Sequence, residues 1–195
     1  EYGKLKASAK IEFDGQILNL AEIARICECQ DRQKRKAASE AKYAWYESHE
    51  SRFDEIYDRM VRVRTEMAHM LGYKDYVELG YYRMNRLDYN REMVAGYRKQ
   101  ILDYVTPLAC RIYDRQKERV GYDRLEYYDL AYQFDSGNPI PKGSAEDLVE
   151  AAVNMYHEMS PETAEFIDMM KNDELWDLIA RPNKEMGGYE TEIPE

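Results

Sequence analysis

Residues 32–71 read RQKRKAASEAKYAWYESHESRFDEIYDRMVRVRTEMAHML, 40 positions with neither proline nor glycine. Ala41, Trp45, Phe53, Ile56, Tyr57, Met60, Met67, Met70 and Leu71 recur mostly at helical spacing. Asp31 stands where an N-cap belongs, and Gly72 where a helix closes through a left-handed residue. A single helix of that length would run about 60 Å at 1.5 Å per residue. A compact chain of 195 residues has a diameter of only about 42 Å. Either the helix breaks near residues 48–51, or it overhangs its domain and expects partners outside these residues. The second reading is preferred, and with it self-association of the chain on its own.

Working outward from that stretch, residues 75–82 form a short helix. Asn90 then opens a long one that runs to Val120 and stops at Gly121. Val94, Tyr97, Ile101, Val105, Leu108 and Ile112 form its apolar stripe, and Pro107 is expected to kink it because it lacks a backbone donor. Upstream, Asp14-Gly15 is a hairpin turn signal between residues 4–13 and 16–18. Asn19, with Glu22 three positions on, is a capping box for a short helix. Downstream, residues 131–144 are rich in glycine and proline. Ser144 with Asp147, and Ser160 followed by Pro161, open two further helices. Residues 173–180 are read as a last helix stopped before Pro182, and Gly187-Gly188-Tyr189-Glu190-Thr191-Glu192-Ile193 as extended. The reading is a mainly α fold of long antiparallel helices with a small N-terminal β-hairpin and a C-terminal extended segment. Its parts are a hairpin over 1–18, a long-helix region over 19–130, a Gly/Pro loop over 131–143, a helical region over 144–181 and the extended segment over 182–195.

Composition narrows the function classes. The net charge of −10 disfavours nucleic acid and anionic membranes as partners. No apolar run reaches the roughly 20 residues of a membrane span. Three cysteines, Cys27, Cys29 and Cys110, form no disulfide framework and suit a reducing, cytoplasmic setting. Cys27-Glu28-Cys29 is too tightly spaced for an ordinary zinc knuckle. The start, Glu1-Tyr2-Gly3-Lys4, is no signal peptide and has no initiating methionine, so the chain is expected to be part of a longer protein.

Few residues invite chemistry. His49, His69 and His157 are too far apart in sequence to form a local ligand pair, and each is read as a helix-surface or packing residue. Tyrosine is the outlier, with 18 residues. Tyr73, Tyr76, Tyr81, Tyr82, Tyr89 and Tyr97 crowd one region. Packing between helices is the ordinary use of such residues; the other is a tyrosine-lined cleft whose hydroxyls meet peptide carbonyls. Gly187-Gly188-Tyr189 is either a loop with a glycine turn or a strand edge on which a peptide lies as an added strand.

Taken in order, several segments resemble oligoendopeptidase F and its relatives. They are Ala9 to Gly15, Asp31-Arg32 with Arg35-Lys36, Phe53-Asp54-Glu55-Ile56-Tyr57-Asp58 and Val63-Arg64. The series continues through Leu71-Gly72-Tyr73-Lys74-Asp75-Tyr76-Val77-Glu78-Leu79-Gly80, Pro107-Leu108, Asp123-Arg124-Leu125 and Tyr128-Asp129. It closes with Gly137-Asn138-Pro139, Pro141-Lys142-Gly143, Ser160-Pro161-Glu162-Thr163, Gly187-Gly188-Tyr189 and Ile193-Pro194-Glu195. The resemblance implies a thimet-oligopeptidase-like (zincin) fold and a zinc metallopeptidase acting on short peptides. In that family a His-Glu-x-x-His helix carries two zinc ligands and the general base. The motif does not occur in these 195 residues. The resemblance therefore places no catalytic or metal residue here, implies no zinc and no activity in the chain alone, and makes the remainder of its own polypeptide a partner. It assigns one weaker role: Gly187, Gly188 and Tyr189 resemble the stretch that lines the substrate cleft. A non-catalytic helical scaffold is the rival reading.

Overall fold

The structure, a computed structural model, describes residues 1–179, 181, 183–185 and 187–190. It is mainly helical and divides into two units, residues 1–138 and 139–195, within the Gly/Pro loop.

In the first unit, α1 (Tyr2–Ala7) precedes the hairpin of β1 (Ile11–Phe13) and β2 (Gln16–Leu18). The register pairs Ile11 with Leu18 and Phe13 with Gln16. Asp14 and Gly15 both take positive φ, 50° and 74°, the geometry of a tight two-residue hairpin turn. Of the strand expected over 4–13, residues 4–7 are helix and residues 11–13 alone are strand. Tyr2-Gly3-Lys4-Leu5-Lys6-Ala7 holds no β-branched residue, and Leu5 alone packs on the core from that segment. That core gathers Ile11, Leu20, Ile23, Ala38 and Trp45 from the hairpin, α2 (Leu20–Ile26) and α3 (Arg32–Ser48).

Residues 32–71 form two helices, α3 and α4 (Glu50–Met70), so the single continuous helix is corrected. The break is at His49, with φ −113° and ψ 8°. The Trp45 carbonyl explains it. Ser48 Oγ donates to that oxygen at 2.7 Å and His49 Nδ1 at 2.8 Å, while the His49 N–H turns back to the Tyr46 carbonyl at 3.0 Å. Two side chains thus take the acceptor that the helix ladder would use. The His49 ring also stacks on Trp45, with centroids 4.5 Å apart.

The helix α5 (Tyr76–Arg83) is capped by Asp75, whose carboxylate accepts the Val77 N–H at 2.8 Å. Next, α6 (Arg91–Gln100) is capped by Asn90 and continues into α7 (Thr106–Arg119) through a π-helical turn, Ile101–Val105. Pro107 was expected to kink this helix. A widened turn stands just before it: the Thr106 N–H reaches the Ile101 carbonyl five residues back, and Thr106 Oγ1 adds a bond to the same oxygen at 3.3 Å. The stripe along α6 and α7 does not face this unit's core. Tyr97, Val105 and Ile112 are 63%, 52% and 52% exposed, and Tyr57 on α4 is 65% exposed.

A buried ionic cluster ties α3 to the segment after α7. Arg35 and Asp129 are both 0% exposed. Arg35 Nη2 donates to Asp129 Oδ1 at 2.8 Å, and Arg32 Nη2 to Oδ2 at 2.7 Å. The remaining Arg35 donors reach the carbonyls of Cys29 (2.6 Å), Gln30 (3.2 Å) and Tyr128 (3.1 Å) and the Tyr122 hydroxyl (3.1 Å). The guanidinium also lies 4.2 Å from the Tyr132 ring centroid. Gln116 Nε2 closes the cluster by donating to the carbonyls of Asp129, Leu130 and Tyr132. Every donor of the buried cation has an acceptor, which is the condition for tolerating such a group.

In the second unit, α8 (Ala145–Met159) and α9 (Pro161–Asn172) bury Val153 and Ile167 respectively. Ser144 with Asp147, and Ser160 with Thr163, form capping boxes. Ser160 ends one helix and caps the next, so the two share a single joint. His157 Nε2 donates to Asp168 Oδ1 at 2.8 Å across the pair. The helix expected over 173–180 is absent among the described residues. Glu174 is left-handed at φ 53°, and the Leu175 N–H returns to the Met170 carbonyl at 2.9 Å, which terminates α9. Asp177 then gathers the chain instead: Arg181 donates to both carboxylate oxygens at 2.6 and 2.7 Å, and Lys184 Nζ to one at 3.0 Å.

Candidate functional site

The three substrate-side residues read from the sequence are described, while Ile193, Pro194 and Glu195, read with them, lie outside the described residues. Gly187 has φ +132°, a conformation that side chains rarely adopt. A Cβ built at Gly187 or at Gly188 would meet nothing within 4 Å. Tyr189 is 94% exposed. The backbone here is open to an approaching chain, and residues 187–190 belong to no strand.

The tyrosine-rich region separates into two kinds of residue. Tyr81, Tyr82 and Tyr89 line a cavity of about 520 Å³ between α5, the loop after it and the first turn of α6. Tyr81 and Tyr89 meet edge to face, with centroids 6.2 Å apart. The Tyr82 hydroxyl donates to Glu78 at 3.4 Å, and the nearby Glu78 charge holds the phenol above its ordinary pKa. Tyr73 packs on Tyr82 from outside the lining, at 6.1 Å. Tyr76 serves packing: Arg64 lies 5.4 Å from its ring, and its hydroxyl accepts from Arg83 at 3.3 Å. Tyr97 stands exposed on α6.

The loop that shapes this cavity has a local cause. At the end of α5 the Asn85 N–H bonds the Tyr82 carbonyl and the Arg86 N–H the Tyr81 carbonyl, both at 3.0 Å, with Asn85 left-handed at φ 54°. That closure reverses the chain and fixes the Arg86 backbone.

The histidines hold structural partners. His49 bonds the Trp45 carbonyl, His69 Nε2 donates to the Lys74 carbonyl at 3.1 Å, and His157 pairs with Asp168. Among the described residues no three His, Cys, Asp or Glu side chains come together to hold a metal ion. These residues therefore do not fit a zinc centre. Asp129 is the carboxylate that sequence reasoning missed. Burial alone would raise its pKa, but the guanidiniums of Arg32 and Arg35 and the Glu126 N–H outweigh burial and hold it below the ordinary range. With both oxygens bound and no exposure, it is a clamp and not an acid or base for a substrate. Its signal in the sequence was faint: two arginines three apart at the start of a helix, one of them on the face of Ala38 and Ser39.

The fold is that of solved oligopeptidases. The chain is 50% identical to a structure of Pz peptidase A with an inhibitor, with a TM-score of 0.92 over 96% of this chain and 34% of that one. It is 47% identical to a Bacillus anthracis str. Ames chain assigned as an oligoendopeptidase F, with a TM-score of 0.90 over 96% of this chain and 35% of that one. Another chain assigned as oligoendopeptidase F is 46% identical, with a TM-score of 0.91 over 95% of this chain and 33% of that one. No curated protein matches the sequence. The model of peptidase family M3 matches residues 25–195, and the chain belongs to that family. It spans about a third of the length of the solved structures it matches.

Proposed function

We propose that this chain is the helical portion of a zinc-dependent oligoendopeptidase that hydrolyses short peptides in the cytoplasm, with the metal held by another part of a longer polypeptide. The observation that carries the reading is 50% identity, sustained over 96% of the chain, to a solved peptidase about three times as long. No helix among the described residues is long and apolar enough to cross a membrane. The test uses the polypeptide in its encoded length and a quenched fluorescent peptide. Turnover should be lost to a chelator and regained with zinc. An absence of cleavage across a panel of short peptides would favour the scaffold reading, and turnover indifferent to chelator would remove the metal.

Within that enzyme, Gly187, Gly188 and Tyr189 are the residues we assign to the substrate side. The support is the open space around both glycines. Gly188 is the cleaner position to change, because Gly187 would be strained by any side chain at φ +132°. In the encoded enzyme, Gly188→Val should lower kcat/KM by about 1–3 kcal/mol in transition-state terms, the value of one or two backbone hydrogen bonds. Zinc content should stay unchanged. Wild-type kinetics in that variant would exclude a substrate along this segment.

The exposed apolar residues of α4, α6 and α7 are assigned to contacts with the remainder of the same polypeptide. Expressed alone, the chain should self-associate through them. Sedimentation that stays monomeric across a concentration series would count against this assignment.

A further inference from the structure

The cavity beside α5 holds a guanidinium prepared for an anion it does not have. Arg86 is half-buried in a stretch, residues 82–90, whose other members are exposed. Its backbone is fixed by the closure of α5, and its guanidinium lies 5.5 Å from the Tyr81 ring centroid and 6.0 Å from that of Tyr89. Among the described residues no carboxylate pairs with it. Two of the four carboxylates in the lining are already engaged: Asp75 caps α5, and Glu78 accepts from Tyr82.

We propose that this cavity takes the C-terminal carboxylate of a short peptide, with Arg86 receiving the carboxylate and Tyr81 and Tyr89 flanking the last side chain. The proposal rests on the peptidase reading and names a feature of its substrate. Three observations select this ligand. The volume of about 520 Å³ lies within the range of small-ligand sites. With three cations against four carboxylates the lining is net negative and repels a polyanion such as a nucleotide, so a ligand brings at most one negative charge, met by Arg86 at close range. Val77, Leu87 and Met93 add apolar wall that a bare inorganic anion would not use. A guanidinium already ordered by aromatic rings loses little freedom when it forms a forked pair with a carboxylate.

The experiment is calorimetric titration of the encoded polypeptide, stripped of metal so that no turnover intervenes. The probes are an N-acetylated tripeptide ending in leucine and its C-terminal amide. The acid should bind about tenfold or more tightly than the amide, as charge-assisted bonds exceed neutral ones. Arg86→Gln should bring the acid down to the amide's affinity and leave the amide unchanged, while Arg86→Lys should keep part of the preference. Equal binding of acid and amide by the unmodified protein would overturn the proposal without recourse to any variant. So would an acid preference that survives Arg86→Gln, or displacement of the acid by an equal concentration of inorganic phosphate. Loss of the peptidase reading would be seen separately, as absent turnover in the metal-loaded protein.

Discussion

Replacing Asp129 by asparagine tests the ionic cluster directly. The substitution keeps shape and removes charge. Arg35, 0% exposed, would then be a buried cation without its anion. Its four other acceptors are neutral and cannot offset that charge. Removing one partner of such a pair costs about 3–5 kcal/mol, a large share of the roughly 5–15 kcal/mol available to a domain. Urea unfolding followed by Trp45, in a Trp176→Phe background, gives the assay. At a slope of about 2 kcal/mol per molar, the midpoint should fall by roughly 2 M. Arg32→Gln should cost only about 1 kcal/mol, because that side chain is 35% exposed and water takes its place. The double variant Arg35→Met with Asp129→Leu should lose less than either single charge removal. The direction with pH follows from the depressed pKa of Asp129. Its stabilisation is complete above the ordinary aspartate range and is lost as pH falls through that range toward the lowered value. The asparagine variant should lack this acid-dependent loss. A variant within 1 kcal/mol of the parent, or one equally acid-labile in that window, would refute the account of the cluster.

Gly188→Val should weaken catalysis, the isolated chain should self-associate in sedimentation, and Arg86→Gln should lose the acid-over-amide preference in calorimetry. A last expectation concerns the end of α9. Glu174 is left-handed at φ 53°, where a Cβ costs energy that glycine avoids. Glu174→Gly should therefore raise the thermal stability of the second unit by about 0.5–1 kcal/mol, net of the greater freedom of glycine in the unfolded chain. A lower melting temperature in calorimetry would contradict this.

What could be read from the sequence was local chemistry. Asn19, Asp31, Asn90, Ser144 and Ser160 all cap the helices they precede, since a cap bonds donors only two or three residues away. Gly72 and Gly121 close α4 and α7 for the same reason. The misreadings arose where several residues compete. The apolar period runs through His49 unbroken, and only the contest for the Trp45 carbonyl divides the helix. Leu175, Leu178 and Ile179 carry helical spacing, yet the left-handed Glu174 has already ended α9. Arg35 stands in a run with Lys34 and Lys36 that reads as solvated charge, and nothing nearby says which cation goes inside. Its partner is 94 residues further on. Of the six crowded tyrosines, only the positions around the α5 closure line the cavity, because that closure turns the chain back over them.

That separation between Arg35 and Asp129 orders events in time. During synthesis, the hairpin, α2 and α3 leave the ribosome with the apolar core of the first unit nearly assembled. The acid that neutralises its buried cation is still unmade. At about 5–20 residues per second, the 94 positions from Arg35 to Asp129 take roughly 5–19 seconds to translate. Throughout that interval Arg35 must stay solvated, so this nascent segment keeps one wall ajar. Completion of that wall is a late step, timed by translation.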